Sequence, residues 1–483
     1  MEFKHFGEEE DDEILEQPVS PTGQYFNSSA LSVSVIAVLE SEIAIDDSPT
    51  FSLLQHVFLP INPRFSSIMV EDKKGVKQWK RVSVNLKNHI NTPIFPSNLS
   101  PKSYDKHLDQ YISKISLNPF PQTQPLWEIH IIKYPTSNAA GNLIFKLHHA
   151  LGDGFSLMGA LLSCLQRVDN PSLPLTFPSL RFPSKETKVE SGLSLKKKMN
   201  KLFGPKNKSL MRSMVNTMYD FGWGLLKSSV VEDDQSPIRS GEDGVEFKPI
   251  GLSTITFSLD HVKQIKAKLG VTINDVITGI MFYGIRKYME SEGGEKSRKE
   301  NSTALVLLNT RIISGYKSVE EMVKPKVAES AWGNQFAFLH VSMPELDDDS
   351  LSNPLKFVDK AQHIIKRKRS SLAVNLTGKL LDSLRRLRGS EATAKYIHNT
   401  LRNSSMTISN VIGPVEQMAL ANHPVKGLYF MVVGVPQSLT ITMMSYKGQL
   451  RIAVGTERDF INPQKFKSCI ENAFEMIFNY SCM

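Results

Sequence analysis

The sequence predicts an α/β protein with two domains, and three observations support that class. With 483 residues the chain is too long for one simple core and fits two domains of ordinary size. Runs with the two-residue period of strands alternate with runs that have helical spacing in both halves of the chain. Between the halves lies a stretch rich in proline and lysine. We therefore place a linker at residues 171–244 and a domain on each side of it.

The composition says more about the cellular compartment of the protein than about its binding partner. A net charge of +8 suits coenzyme phosphates, an acidic membrane surface or nucleic acid, and charge alone does not choose among them. The three cysteines, Cys164, Cys469 and Cys482, are far apart and odd in number, which predicts a reducing compartment without a disulfide framework. Residues 8–13 are acidic where a signal peptide would be basic, so no secretory signal is expected there. Residues 1–16 are predicted to be a disordered acidic segment.

The first domain is predicted over residues 17–170. Its expected elements are a buried strand at 31–40, a short helix at 51–58, a strand at 63–70, and two paired strands at 129–132 and 143–149. Strands interleaved with helical segments are typical of an α/β domain.

The end of the last of these strands carries the candidate chemistry. Side chains alternate between the two faces of a strand, so His148 and His149 point in opposite directions and only one can enter a given site. Gly152 and Gly154 allow a sharp turn before an apolar helix at 155–162. An imidazole at the mouth of such a turn is well placed to take a proton near neutral pH.

Three other interpretations of the histidine pair are open at this point. A metal site is disfavoured, because neighbouring strand residues diverge and no His, Cys or carboxylate nearby has ligand spacing. A serine hydrolase turn needs Gly-x-Ser-x-Gly, but Gly154 and Gly159, which flank Ser156, are one residue too far apart. The third interpretation is a pair of ordinary histidines at a strand end.

The linker is basic and partly apolar. Cations at residues 196–212 stand among Leu, Met and Phe side chains, which favours either a segment that rests on anionic lipid or a solvated charged face. The best candidate for a membrane span, residues 211–231, contains Arg212, Asp220 and Lys227. A spanning helix needs about 20 largely apolar residues, so this stretch should lie on a membrane rather than cross it.

The second domain is predicted over residues 245–483. Its expected elements are strands at 253–259, 304–311 and 337–341, helices at 261–269 and 272–288, then strands at 427–435, 439–446 and 450–455 before a helix at 463–480. Gly270 follows the first of these helices, as expected for a helix end.

The pattern His-His-x-x-x-Asp-Gly, formed by His148, His149, Asp153 and Gly154, resembles the signature of the CoA-dependent acyltransferase superfamily. The resemblance implies that His149 is the general base with His148 in support. It also implies that Asp153 is structural and pairs with an arginine. Arg311 is the candidate partner, because a guanidinium can bind a carboxylate through two hydrogen bonds; a surface arginine without a specific partner is the alternative.

Five further blocks extend the resemblance over nearly the whole chain. They are residues 63–65, 125–128, 272–275, 332–336 and 409–414, and they resemble the plant-type, bifunctional wax ester synthase/diacylglycerol acyltransferase family. The resemblance implies the fold of chloramphenicol acetyltransferase, with two α/β lobes, mixed sheets and an active-site tunnel between them. Acyl-CoA and the acceptor alcohol would enter from opposite sides and meet at His149.

Three residues in these blocks are candidates for contacting substrate or stabilising an oxyanion: Asn274, Ser409 and Asn410. A hydroxyl or amide donor in such a place is worth about 2.7 to 4 kcal/mol. An alternative for Asn274 and Asp275 is that they cap the helix that follows them.

The resemblance implies an O-acyltransferase that moves a long-chain acyl group from acyl-CoA to a fatty alcohol, giving a wax ester, or to diacylglycerol, giving triacylglycerol. It implies acyl-CoA as co-substrate and no metal, flavin, nicotinamide or nucleic acid. Both acceptors are lipids, so we expect a membrane surface as partner. The expected location is the cytosolic face of the endoplasmic reticulum, as a peripheral or monotopic protein, with the plasma membrane as an alternative.

Two other functions are carried as alternatives. Residues 220–224 spell Asp-Phe-Gly-Trp-Gly, a signature of plant acyltransferases that act on small alcohols and amines, although here it lies in a helix-like context only 66 residues after Gly154. A soluble enzyme for phenolic acceptors is therefore the first alternative. The second is a non-catalytic lipid-binding protein of the same fold, against which the intact His149 and Asp153 argue.

Overall fold

The computed structural model describes residues 17–73, 76–177, 208–310, 332–369 and 371–482, with the backbone alone for 208–213. These residues form two large β-sheets and one small sheet, with helices packed against them. The predicted disordered segment, most of the basic run and Arg311 lie outside the described residues.

The first large sheet holds the histidine strand near its centre. Numbered in chain order and given in spatial order, its strands are β5 (Ile90–Asn91), β6 (Trp127–Ile132), β7 (Gly141–His148), β2 (Ser34–Ser41), β14 (His423–Val433), β13 (Met418–Leu420) and β8 (Leu165–Arg167). β5 and β6 are parallel, and all other neighbours are antiparallel. Every residue of β7 and β2 is buried, because both faces of the sheet are covered.

The two faces of β7 pack into different cores, as the alternation predicts. Phe145 and Leu147 join the core that includes helix α5 (Gly154–Ser163). Ile144 points the other way, into the core beneath helix α4 (Pro101–Leu117). A slip of one residue would exchange these faces, so burial on both sides fixes the register that positions the histidines.

The second large sheet comes entirely from the C-terminal half. In spatial order its strands are β11 (Phe336–Ser342), β10 (Thr303–Asn309), β12 (Met406–Ile412), β15 (Leu439–Tyr446), β16 (Gln449–Glu457) and β9 (Ile250–Ser258). β10, β12 and β15 are parallel to one another, and the other pairs are antiparallel. The core of this lobe packs against helices α8 (Ile273–Gly293), α10 (Leu355–Arg369) and α12 (Pro463–Cys482).

Shorter elements complete the described chain. The small sheet has the order β1 (Gln17–Pro18), β4 (Lys77–Arg81) and β3 (Ser67–Glu71). The remaining α-helices are α1 (Pro21–Phe26), α2 (Thr50–Leu53), α3 (Leu59–Ile61), α6 (Lys208–Lys227), α7 (Leu259–Leu269), α9 (Asp348–Ser352) and α11 (Ala373–Arg402). A π-helical turn, Leu54–Phe58, joins α2 to α3, and 3-10 turns occur at Pro63–Ser66, Leu86–Asn88, Val245–Phe247 and Glu295–Arg298.

Most predicted elements are confirmed within a few residues, including the pairing of β6 with β7 and the helix end at Gly270. The strand predicted at 63–70 is wrong in its first half. Asn62 Oδ1 accepts a hydrogen bond from the Arg64 N–H and starts a 3-10 turn, so β3 begins only at Ser67.

The sheets do not follow contiguous stretches of chain. Strands β13 and β14 belong to residues 245–483, yet they complete the first sheet by pairing with β8 and β2. The C-terminal half therefore contributes to both lobes and ties them together.

Candidate active site

His149 lies where the two lobes meet. Its backbone N–H donates to the Val33 carbonyl at 2.9 Å, which ties the turn to the segment before β2. The residue is 5% exposed, and its ring packs against the rings of Phe26 and Phe336, at centroid distances of 4.8 and 5.6 Å. Because Phe336 begins β11 of the second sheet, groups from both lobes enclose the imidazole.

The amide of Asn334 fixes the tautomer of His149. Asn334 Nδ2 donates to the backbone carbonyl of His149 at 2.8 Å, and this orients the amide because a carbonyl oxygen can only accept. Asn334 Oδ1 then lies 2.8 Å from His149 Nδ1, so Nδ1 carries the proton and donates it. The lone pair of the neutral ring is left on Nε2, the arrangement that a general base requires.

Burial lowers the pKa of His149 below its ordinary value of 6.5. The Asp153 carboxylate and the hydrogen bond to Asn334 oppose this shift, but burial has the larger effect. The imidazole is therefore neutral, and able to take a proton, at neutral pH.

His148 makes contacts of a different kind. Its Nδ1 accepts the Ala150 N–H at 3.1 Å, which leaves the ring proton on Nε2, 3.3 Å from Ser32 Oγ. The ring is 3% exposed, and burial together with the neighbouring His149 lowers its pKa to about 3. His148 thus stays neutral and links the turn to the segment before β2.

Asp153 joins two segments of backbone. Its Oδ1 accepts the Ser156 N–H at 3.1 Å, as the N-cap of α5. Its Oδ2 accepts the Gln335 N–H at 2.9 Å, from the residue next to Asn334. The expected pairing with Arg311 falls outside the described residues and stays a prediction. What the described contacts show is a carboxylate that holds the turn in place.

Residues 332–336, here called the clamp segment, contact the histidine turn at several further points. The Leu151 carbonyl accepts from Trp332 Nε1 at 3.1 Å and from Arg64 Nη1 at 3.0 Å. The Gly333 N–H donates to Ser156 Oγ, and that hydroxyl donates to the Gly333 carbonyl, each at 3.1 Å. Burial lowers the pKa of Arg64 to about 10, so its guanidinium is still charged at neutral pH.

The other candidate residues lie on the second lobe. A Cβ added to Gly154 would lie 3.4 Å from Val411 Cγ2, so strand β12 runs against the start of α5. Beside Val411, Asn410 Nδ2 donates to Asn274 Oδ1 at 2.9 Å, while Ser409 is buried in the strand. The structure thus brings Asn274, at the start of α8, and Asn410, on β12, together, and Val411 joins β12 to the histidine turn.

Asp275 has the capping role that the sequence left open. Thr272 Oγ1 accepts the Asp275 N–H at 3.2 Å, and Asp275 Oδ2 accepts the Thr272 N–H at 2.9 Å. This reciprocal pair is a capping box at the start of α8. Asn274 is therefore the member of its block that reaches β12.

Residues 220–224 are part of helix α6. Asp220 is 6% exposed, and its Oδ1 lies 2.6 Å from Lys368 Nζ and 3.5 Å from Arg367 Nη2. A buried ion pair between helices accounts for this aspartate without a role in acyl transfer.

Sequence reasoning missed Asn334 and Gln335 as site residues. The available signal was a polar Gly-Asn-Gln step immediately before an apolar strand, inside a block already noted for its resemblance. Nothing local, however, indicates that Asn334 faces a histidine 185 positions earlier.

Two features are absent from the described ranges. In those ranges no three His, Cys, Asp or Glu side chains are grouped so that they could hold a metal ion. Among the helices of the described chain, none is both long and apolar enough to cross a membrane.

Two family models match this chain. The model described as the wax ester synthase/diacylglycerol acyltransferase catalytic domain matches residues 54–277, and the WS/DGAT C-terminal domain matches residues 332–478. Wax ester synthase/diacylglycerol acyltransferase 4 of Arabidopsis thaliana is 29% identical over 460 residues, which cover 92% of this chain and 86% of that protein. The Arabidopsis thaliana protein numbered 11 is 28% identical over 465 residues, covering 94% and 93%.

Solved structures show the same fold at low sequence identity. The wax ester synthase/diacylglycerol acyltransferase from Marinobacter aquaeolei VT8 aligns with a TM-score of 0.58 at 14% identity, covering 97% of this chain and all of that one. The first condensation domain of the calcium-dependent antibiotic synthetase aligns with a TM-score of 0.54 at 12% identity, covering 93% and 91%.

Two lobes enclose a histidine of fixed tautomer, and their fold is the chloramphenicol acetyltransferase-like fold shared with condensation domains. The two family models and the full-length relatives then place it more narrowly. The chain belongs to the wax ester synthase/diacylglycerol acyltransferase family, whose members are acyltransferases with acyl-CoA as co-substrate.

Proposed function

We propose that the protein transfers a long-chain acyl group from acyl-CoA to a lipid alcohol, with His149 as the general base. The observation that carries this proposal is the pair of hydrogen bonds between Asn334 and His149, since together they leave the lone pair on Nε2. The acceptor would be a fatty alcohol, giving a wax ester, or diacylglycerol, giving triacylglycerol. The names of the Arabidopsis relatives support both acceptors.

In the proposed reaction no covalent acyl-enzyme forms. Nε2 of neutral His149 takes the proton of the acceptor hydroxyl as its oxygen attacks the thioester carbonyl. The tetrahedral intermediate collapses with cleavage of the C–S bond, and the imidazolium returns the proton to the departing thiolate. Nδ1 keeps its proton, which stays hydrogen-bonded to Asn334 Oδ1 throughout, so the ring neither turns nor changes tautomer.

The oxyanion donors are proposed from the second lobe. Asn274, Ser409 and Asn410 are the candidates, because β12 runs against the turn that carries His149. A preorganised donor there would stabilise the negative charge that develops on the thioester oxygen.

The acceptor lipids dissolve in membranes, so we also propose that the protein works at a membrane surface. The cytosolic face of the endoplasmic reticulum is the proposed location, with peripheral or monotopic attachment, and the plasma membrane is the alternative. The net charge of +8 supports contact with an anionic surface.

The test is an assay of purified protein with palmitoyl-CoA against hexadecanol, diacylglycerol and a phenolic alcohol, with His149→Ala as the matched control. We expect ester formation with one or both lipid acceptors and none with the variant. Ester formation with the phenolic acceptor alone would show that the enzyme acts on small alcohols and not on lipid acceptors. Lipid binding without turnover would establish the non-catalytic alternative.

A further inference from the structure

Helix α6 is inside out: its buried face is polar and its exposed face is apolar. The buried face carries Thr217, Asp220, Gly224 and Lys227, at the spacing of one helix side. On the opposite side the solvent-facing residues are Met214, Val215, Met218, Tyr219 and Leu226, which are 45 to 73% exposed. A water-facing helix normally has the reverse arrangement.

The polar face docks the helix onto the second lobe. Asp220 pairs with Lys368 at 2.6 Å, and Lys227 Nζ donates to the buried carboxylate of Asp233. The Thr217 hydroxyl accepts the Leu372 N–H at 3.1 Å. These buried ion pairs hold the helix in one rotation, so the apolar face is fixed outward.

The apolar face continues beyond α6. Leu372, which bonds to Thr217, is 59% exposed, and Leu376, one turn further along α11, is 37% exposed. Gly222 lies on the same face, and a Cβ added there would meet no atom within 4 Å. Contiguous exposed apolar surface of this kind marks an interaction site rather than ordinary protein surface.

A cationic rim borders this face. Lys366, Arg367 and Arg369, at the end of α10, are all exposed. Arg367 reaches α6, since its Nη2 lies 3.5 Å from Asp220 Oδ1. Asp220, the carboxylate that Arg367 reaches, is already paired with Lys368, so the exposed charges that this end of α10 presents beside the apolar face are cationic. Apolar anchors beside cations match the chemistry of an anionic bilayer surface.

We propose that the outer face of α6 and the start of α11, with the α10 cations as its rim, is the surface by which this protein docks on an anionic membrane. The inference rests on the proposed action at a membrane and names the part of the molecule that makes the contact. The helix lies flat in the interface, because its buried charges bind the second lobe and leave only the outer side for lipid.

The test is co-sedimentation of the full-length protein with phosphatidylcholine vesicles, with and without phosphatidylserine. Val215→Gln/Met218→Gln/Leu226→Gln should weaken binding to anionic vesicles roughly tenfold or more, because it removes apolar anchorage. The matched control, Ile94→Gln/Leu173→Gln/Phe247→Gln, changes three side chains that are 91, 49 and 77% exposed elsewhere and should bind as wild type does.

Charge is tested in the same way. Lys366→Glu/Arg369→Glu should lower binding to anionic vesicles by at least tenfold, since each cation near the surface is worth about fivefold in affinity. Lys102→Glu/Lys106→Glu makes the same change in net charge on the exposed side of α4 and should have a smaller effect.

Acyl transfer between a short-chain acyl-CoA and a short-chain alcohol, measured without vesicles, separates this inference from the proposed function. We expect it to be unchanged in all four variants. If wild type is active but binds no vesicles, or if the α6 variant binds vesicles as wild type does, the docking surface is wrong. The proposed acyl transfer is not affected by either result. If sedimentation velocity shows that wild type is a dimer and that the α6 variant is a monomer, the face belongs to an interface with a second copy of the chain instead.

Discussion

At the scale of single residues, the two adjacent histidines are distinguished by their ring contacts. His149 donates from Nδ1 to Asn334 and keeps Nε2 for a proton, whereas the two nitrogens of His148 face Ala150 and Ser32. We expect His149→Ala to lower kcat on the order of 10²- to 10⁴-fold, the usual contribution of general base catalysis. His148→Ala should leave a folded enzyme with reduced, measurable activity. Circular dichroism checks folding, and equal loss in both variants would contradict the assignment.

From the hydrogen bond between His149 and Asn334 we predict how activity depends on pH. The base must be neutral to act, so activity is lost as pH falls through the pKa of His149, and burial places that pKa below 6.5. Asn334→Asp puts a negative charge beside Nδ1, which raises the pKa and should move the acid limb of kcat/KM to higher pH. Asn334→Ala should lower kcat about tenfold without that upward move. If Asn334 has only a structural role, both variants should lose activity and the acid limb of the pH profile should stay where it is in wild type.

Asp153 is predicted to matter through stability. In Asp153→Asn the amide oxygen can still cap α5, but the amide NH₂ then faces the Gln335 N–H, donor against donor. Leaving these groups unsatisfied costs about 1 to 3 kcal/mol in the free energy of unfolding, measured with urea. The control is Asp347→Asn, at the N-cap of α9, where an amide can keep the cap. The second partner there is the side chain of Lys360, which is 36% exposed and can turn to water instead of facing the amide NH₂. Equal losses at the two sites would contradict the special role of the Gln335 contact.

The predicted partner of Asp153 can be tested independently of its described contacts. Arg311→Ala, Asp153→Asn and the double variant form a double-mutant cycle. Strict additivity would show that the two side chains do not interact.

At the scale of elements, the end of β14 presses against the segment that supports the histidines. Gly434 has φ +80°, and a Cβ there would lie 2.1 Å from the Ser32 carbonyl oxygen. Gly434→Ala therefore combines backbone strain, about 1 to 3 kcal/mol, with a clash against backbone. Gly270→Ala is the control, because its φ is +65° but nothing lies within 4 Å of the added carbon.

We expect Gly434→Ala to lower both the unfolding free energy and kcat, since Ser32 contacts His148 and Val33 accepts the His149 N–H. Gly270→Ala should lower stability by less and leave kcat unchanged. Unchanged kcat in a folded Gly434→Ala protein would show that the strand end does not support the site.

The elements that the sequence predicted well are those set by local pattern. Period-two alternation fixed β7 and its two faces, and the glycine after α7 marked the helix end. The position of β14 beside β2 was not predictable, because strand pairing over a separation of almost 400 residues leaves no mark in either strand alone. For the same reason His149 was found from its own neighbours and Asn334 was not.

Helix α6 shows a second limit of sequence patterns. Its period was visible, but periodicity does not tell which side of a helix faces the core. The polar side is buried here because partners for its charges, Lys368 and Asp233, come from elsewhere in the fold. The structure therefore reverses the usual rule that the apolar side packs inward.

At the scale of the whole molecule, the last prediction concerns how the protein is held on membranes. Crossing as a single span would place Asp220 and Lys227 in hydrocarbon, where each charge near the centre costs about 2.5 to 3.5 kcal/mol. It would also break the buried ion pairs of these residues with Lys368 and Asp233 and leave four charges without their ion-pair partners. Attachment at the surface has neither penalty, and it combines apolar anchorage with charge attraction that salt screens.

We therefore expect a high-salt wash of isolated membranes to release part of the protein and a carbonate wash to release the rest. Lys366→Glu/Arg369→Glu should make the salt wash more complete, because it removes attraction and leaves the apolar anchor. A protein with a known membrane span, followed in the same fractions, should stay in the pellet through both washes and shows that the bilayers are intact. If this protein also stays in the pellet until detergent is added, then helix α6 crosses the membrane. In that case α6 must leave its position on the second lobe when the protein inserts.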